Sequence, residues 1–291
     1  MSAVATEEAL AERAPEGSRS RRARWYRTPS LVAGITLLSV LVFAAAAAPL
    51  LTSHDPTSQD LTHALLGAGS PGHLLGTDQF GRDNWSRLLY GARTDFRVGF
   101  IAVLFPFVIG SILGSLAGYF GGWVDTIVMR LVDIVVAFPF YVLIIALVFV
   151  LGPGTRSIYI AITFVGWVSY ARIVRGEVLV AKRQEYTLAA RSAGFGAIRI
   201  MGRHLLPNVI TQAIVFAMSD IVLSILAIVT LGYLGLGVPP PAPEWGSMIS
   251  DGQQFITTHW ELATIPGLAV VVTGLGLSLL GDGLADILKP E

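Results

Sequence analysis

Long apolar runs alternate with short polar ones along this chain. The runs cover Ser30–Leu51, Phe96–Phe120, Val124–Leu151, Ile158–Val180, Asn208–Leu231 and Leu262–Leu280. About 20 consecutive apolar residues cross the hydrocarbon core of a bilayer as a helix. The pattern therefore predicts an all-α, polytopic membrane protein with six transmembrane helices. For the first run a cleavable signal peptide is the competing reading. The run exceeds the ~7–15 residues of a signal h-region, whereas its alanine-rich end before Pro49 suits one.

The polar stretches have their own character. Met1 to Arg27 carries Arg13, Arg19, Arg21, Arg22, Arg24 and Arg27 among Ala, Glu, Gly and Ser, a composition that predicts disorder up to the arginine cluster. Thr52–Asp95 is a long loop, and Trp85–Arg93 within it reads as a short amphipathic helix. In the second run Gly110, Gly114 and Gly118 recur at four-residue spacing, which lets helices approach closely in lipid. Gly121-Gly122 reads as a tight turn. The third run contains Arg130, Asp133 and Pro139, and a proline-rich loop follows the fifth through Pro239, Pro240, Pro241 and Pro243.

Composition agrees with a membrane class. Hydrophobic residues make up 53% of the chain and charged ones 14%, against about 25% charged in soluble domains. The formal net charge is zero, so no overall field points to nucleic acid. Cysteine is absent, which excludes disulfides, thiol chemistry and cysteine-ligated metals.

The positive-inside rule sets the orientation. With a cytoplasmic N-terminus, the inner side holds the six N-terminal arginines, Arg130, Arg172, Arg175, Lys182, Arg183, Arg191, Arg199, Arg203 and Lys289. The outer side keeps only Arg82, Arg87, Arg93, Arg97 and Arg156. Both termini thus face the cytoplasm across the inner (cytoplasmic) membrane. The predicted organisation is a cytoplasmic tail at 1–29, a first transmembrane helix at 30–51 and an extracytoplasmic loop at 52–95. A five-helix core at 96–285 follows, containing a cytoplasmic segment at 181–207, and a cytoplasmic tail at 286–291 closes the chain.

That cytoplasmic segment is the anomaly in an otherwise apolar core. Tyr186, Ala189, Ala190 and Ala193 fall at i, i+3, i+4 and i+7 on one face of a short helix. The stripe is small enough to seat in a groove of another protein. Gly194 and Gly196 break the helix, and Pro207 suits the first turn of the next one.

The segment resembles the cytoplasmic signature of ABC importer membrane subunits, Glu-Ala-Ala, three residues, Gly, nine residues, then Ile-x-Leu-Pro. Leu188-Ala189-Ala190, Gly194, His204, Leu206 and Pro207 keep its spacing, with Leu188 in place of the usual glutamate and His204 in place of the isoleucine. Arg203-His204-Leu205-Leu206-Pro207-Asn208 is similar to the peptide-transport branch. Gly76-Thr77-Asp78, Gly81-Arg82-Asp83, Ala117–Trp123, Phe138-Pro139, Leu234–Gly237, Trp245-Gly246 and Gly281–Gly283 also resemble the second permease of dipeptide, oligopeptide and nickel importers. The family often carries Ser-Phe and an upstream glutamate before Leu234, where this chain has Gly232, Tyr233 and Ile228.

The resemblance implies an ABC importer type I permease (MetI-like) fold and a peptide-translocating transport subunit, not an enzyme. The chain lacks the Gly-x-x-x-x-Gly-Lys-Ser/Thr phosphate loop, so ATP and Mg would sit on partner ATPase subunits and no cofactor on this chain. Implied partners are a second homologous permease in a heterodimer, two cytoplasmic ATPases or one fused ATPase, an extracytoplasmic solute-binding protein and membrane lipid. Ala189 and Ala190 would form the seat for the ATPase with Tyr186, and Gly194 the turn. Leu206 and Pro207 would be the joint to the fifth span, with Arg183, Glu185 and Arg191 at the rim. Asp78, Arg82, Asp83 and Trp245 are candidates for docking the binding protein.

Asp133 and Asp220 are acidic residues near membrane depth, costly there unless paired or facing water. Both are candidates for the translocation path, with an Arg130–Asp133 pair at i, i+3 and hydrogen-bonded packing of Asp220 as the plainer readings. His54, His63, His73, His204 and His259 show no metal-ligand spacing. The near alternative is the same machine importing nickel chelates, glutathione or another small solute. An ion-driven secondary transporter would not need the cytoplasmic helix–Gly–helix segment, and an intramembrane enzyme would need a reactive constellation that the sequence does not show.

Overall fold

The computed structural model of the chain describes residues 29–288. The N-terminal tail with its six arginines, and Lys289 with the last residues, lie outside the described residues. Among the described residues, nine helices of eight residues or more carry the architecture: α1 (Pro29–Ala46), α2 (Asn84–Phe120), α3 (Gly122–Val136), α4 (Phe140–Leu151), α5 (Thr155–Ala181), α6 (Glu185–Ser192), α7 (Leu206–Tyr233), α8 (Trp245–Gln253) and α9 (Glu261–Leu288). Among the described residues, five helical stretches are long and apolar enough to cross a membrane, and a sixth span results if the bent pair α3–α4 is counted as one.

Two predicted elements are corrected. The short helix expected over Trp85–Arg93 is the first part of α2, which runs unbroken for 37 residues. No glycine or proline separates Arg93 from Phe96, and Asp95, the polar residue that suggested a boundary, is fully buried. The helix starts where Asp83 caps it, its carboxylate accepting the Ser86 N–H. The third run is not straight: α3 and α4 meet at 87°. Pro139 has no N–H to continue the ladder and disfavours helical geometry at Phe138, so α3 stops before it and α4 starts after it.

The core forms around α5. In its apolar window 61% of residues are buried inside the protein, against 17% for α1. The glycine row of α2 meets α5 backbone to backbone. A Cβ at Gly110 would lie 2.3 Å from the Trp167 carbonyl oxygen, and one at Gly114 2.5 Å from that of Ala171. Small residues thus do in lipid what the hydrophobic effect does in water, by letting dispersion contacts accumulate along the seam. Outward-facing Phe43, Phe149 and Val150 are 70%, 75% and 82% exposed, a surface suited to acyl chains rather than water.

The C-terminal ends of α2 and α5 lie together, with the Lys182 ammonium donating to the Gly118 carbonyl at 2.7 Å. The segment 182–205 therefore protrudes at that end. The N-terminus of α2 meets the end of α1 at the opposite end, where the Arg93 guanidinium donates to the Ala46 carbonyl at 2.8 Å. Residues 52–83 and 234–260 cover this second end.

Candidate functional site

The protruding segment is built around α6. Glu185 in its first turn and Arg191 in its last match the helix dipole. Thr187 is fully buried and its hydroxyl donates to the Ala181 carbonyl at 2.8 Å. Gly194, with φ of 77°, ends the element, and the Phe195 N–H closes the turn onto the Ala190 carbonyl at 3.2 Å. A left-handed backbone of this kind is what glycine supplies.

The predicted stripe is only partly outward. Ala190 is 6% exposed and belongs to the cluster of Val178, Ala181, Ile200 and Leu205. Around the helix it lies between Tyr186 and the buried Thr187, so it falls on the anchoring side. Tyr186, Leu188, Ala189 and Ala193 form the exposed face. Beside it an open cleft of about 570 Å³ is lined by Tyr119, Phe120, Lys182, Arg183, Leu188 and Arg191. The Arg191 guanidinium lies 5.2 Å from the Tyr119 ring centroid, a cation–π contact that ties α6 to the end of α2. A π-helical turn, Ile200–Leu205, then leads into α7, with Leu206 and Pro207 in the first turn.

The acidic residues near membrane depth find unexpected partners. Asp133 pairs with Arg172 of α5 at 3.6 Å, not with Arg130. Both side chains are about half exposed, and the pair joins α3 to α5. Asp125 forms a two-pronged pair with Arg175, whose Nη2 donates to Oδ2 at 2.6 Å. Asp220 accepts the Tyr170 hydroxyl at 2.8 Å. Tyr170 is fully buried between Phe107 and Phe216, so this bond ties α5 to α7 and the packing reading of Asp220 has a concrete partner.

At the opposite end the four docking candidates are buried. Asp78, Arg82, Asp83 and Trp245 are 6%, 4%, 4% and 1% exposed. The Arg82 Nε donates to Asp78 Oδ2 at 2.6 Å, and Asp78 Oδ1 accepts the backbone N–H groups of Phe80 and Arg82. Arg87 joins the same carboxylate at 3.5 Å. Burying these charges is tolerable because each is paired and hydrogen-bonded. At Gly81 a Cβ would come 1.7 Å from the Asp60 carbonyl oxygen, so only glycine fits. These residues hold the turn; the surface they offer is Phe80 and Asp251, 39% and 43% exposed.

Trp245 packs edge-on against Phe96 and donates its indole N–H to the Leu88 carbonyl at 3.0 Å, while its backbone N–H goes to Asp95 Oδ2 at 3.1 Å. Glu244, fully buried, caps α8 by accepting the N–H groups of Gly246 and Ser247 at 2.6 and 2.8 Å. Burial pushes its carboxyl pKa up from the usual range. Gly232, one of the departures from the family pattern, makes room for it: a Cβ there would lie 2.0 Å from Glu244 Oε2. Asp95 has no sequence signature, because its partner Trp245 lies 150 positions along the chain, whereas the Glu244 cap is local and reaches only two and three residues ahead.

The histidines, too, are regrouped by folding. Sequence spacing suggested no metal site, yet the rings of His54 and His73 lie 4.9 Å apart, and Asp83 joins them.

These features define a multi-pass membrane component with a helical appendage at one end. Residues 110–291 match the family described as binding-protein-dependent transport system inner membrane component. The chain is 39% identical over 260 residues to the dipeptide transport system permease protein DppC of Alkalihalophilus pseudofirmus, covering 89% of this chain and 85% of that one. It is 40% identical over 261 residues to the DppC of Bacillus subtilis, covering 89% and 81%. An inward-facing structure of the MetNI methionine ABC transporter shares the fold, with a TM-score of 0.55 at 18% identity over 70% of this chain and 97% of that one. The chain belongs to the binding-protein-dependent transport system inner membrane component family.

Proposed function

We propose that this chain is the membrane-spanning permease subunit of an ATP-driven importer of di- and oligopeptides. The observation that carries the substrate is the similarity to dipeptide permeases over 89% of the chain. In this reading it pairs with a second homologous permease, two cytoplasmic ATPases or one fused ATPase, and an extracytoplasmic solute-binding protein. Arg130, Arg172 and Arg175 add to the five basic residues of segment 182–205, against five at the opposite end, and this excess supports a cytoplasmic position for that segment and for both termini.

The exposed face of α6, Tyr186, Leu188, Ala189 and Ala193, is the seat for the ATPase, with Arg183, Glu185 and Arg191 at its rim. Gly194 turns the chain, and Leu206 and Pro207 transmit the movement into α7. ATP-driven closure of the ATPases then rocks the permease pair about the central path, a rigid-body transition of packed helices. Asp133 and Asp220 belong to the walls of that path, with Tyr170 holding Asp220. Binding-protein docking falls to Phe80 and Asp251, which the buried Asp78, Arg82, Asp83 and Trp245 position. The test is to purify the assembled complex in lipid nanodiscs with its binding protein and measure ATPase activity. Dipeptides should stimulate it above glutathione or chelated nickel; stimulation by chelated nickel alone would overturn the peptide assignment.

A further inference from the structure

We infer that His54, His73 and Asp83 form a binding site for a first-row divalent transition metal of the zinc type at the outer-loop end. One donor atom from each lies within 4.8 Å of the other two. The His73 Nδ1 is 2.9 Å from Asp83 Oδ1. Ligands bound to zinc at ~2.0–2.2 Å in a tetrahedron lie about 3.3–3.5 Å from one another. The His73–Asp83 pair therefore needs to open by only a few tenths of an ångström, and His54 to swing inward by up to ~1.5 Å.

The backbone holds the three donors ready. The His54 carbonyl accepts the Ser86 hydroxyl at 2.8 Å, anchoring that residue to the first turn of α2 while its ring stays exposed. His73 sits in a tight turn, with its N–H on the Ser70 carbonyl and its carbonyl accepting the Gly76 N–H. Asp83 is 4% exposed and is fixed by its other oxygen, which caps α2 through the Ser86 N–H at 2.7 Å. Asp83 Oδ1 is thus free to exchange its histidine contact for a metal bond without uncapping the helix.

The donor set selects the ion. Two imidazoles and one carboxylate suit zinc or nickel, whereas magnesium and calcium favour all-oxygen shells. With three protein ligands the fourth position stays open on the side of the exposed His54 ring. A bound ion would join three separate pieces, the chain after α1, the turn at 70–76 and the start of α2. It would staple the outer loop to the core.

The experiment uses the full-length chain in its assembled complex, without a polyhistidine tag, in nanodiscs near neutral pH. Zinc is titrated calorimetrically into the wild type, His54→Ala and His63→Ala, with magnesium as the control ion. His63 is the comparison because it is an exposed neighbour, 6.3 Å from His73 by ring centroids and hydrogen-bonded to Asp60. We expect one zinc per copy of this chain to be lost or weakened by about 10–100-fold in His54→Ala, with His63→Ala and the magnesium response unchanged. Zinc should also raise the melting temperature of the wild type and not of His54→Ala. Equal zinc affinity and stoichiometry in wild type and His54→Ala would overturn the site, as would equal weakening by His63→Ala. The titration requires no transport, so its outcome is independent of the cargo.

Discussion

Gly232→Ala should be far more damaging than a single methyl group suggests, and Glu244 should be the reason. The added Cβ would lie 2.0 Å from Glu244 Oε2 and 2.6 Å from its Cδ, whereas non-bonded heavy atoms settle near ~3.5 Å. The carboxylate must retreat by about an ångström or more, which breaks its bonds of 2.6 and 2.8 Å to Gly246 and Ser247 at the start of α8. Overpacking of this kind costs about 1–3 kcal/mol, and the lost cap about 1 kcal/mol. The total is about 2–4 kcal/mol. Glu244→Ala alone loses the cap but removes a buried carboxylate beside Asp95, so its cost is the smaller one. In the double variant the methyl group occupies vacated space, and the coupling energy should be about 2 kcal/mol. The assay is a double-mutant cycle read by thermal unfolding of the assembled complex in detergent, where each kcal/mol corresponds to about 2–4 °C. Additivity of the two variants within ~0.5 kcal/mol would refute the steric account.

Three further outcomes follow from the same geometry. Ala189→Trp, on the exposed face of α6, should leave melting unchanged and abolish substrate-stimulated ATPase activity. Ala190→Trp should instead lower the melting temperature, because Ala190 faces the core; coupled ATPase activity in Ala189→Trp equal to wild type would sink the seat. Tyr170→Phe leaves Asp220 without its hydroxyl donor and should cost about 1–3 kcal/mol, whereas Asp220→Asn keeps an acceptor for Tyr170 and should melt close to wild type; equal melting of Tyr170→Phe and wild type would refute the bond. Glu244, whose pKa burial raises, binds its proton more tightly in the folded state. Its favourable contribution is therefore complete below the unfolded pKa and is lost as pH rises through the raised folded value. Melting temperature should fall from acidic toward neutral pH in the wild type and less steeply in Glu244→Gln, as read from parallel pH series.

The run lengths alone determined that this chain is helical and crosses a membrane, because hydrocarbon thickness dictates the length of a spanning helix and the apolar runs meet it. The α2 glycine row was legible for a similar reason: a four-residue period is a property of one helix and needs no partner to be recognised. So was the helix–Gly–helix segment after α5, since Gly194 and Pro207 are local backbone constraints. What lay between distant positions was not legible. Pro139 was visible, but its 87° bend depends on how α3 and α4 pack. Arg130 stood one turn from Asp133 in sequence, yet Arg172 of another helix took the carboxylate. Ala190 shared a period with Tyr186 and Ala189, but which edge of that stripe turned inward was decided by Thr187 and the cluster behind it. Asp78, Arg82 and Trp245 read as surface because charge and indole usually are, and the fold buried them by supplying partners from 4 to 157 positions away. Periodicity and backbone chemistry act within a few residues and survive in the sequence; pairing, desolvation and the meeting of His54 with His73 depend on contacts that only the folded chain creates.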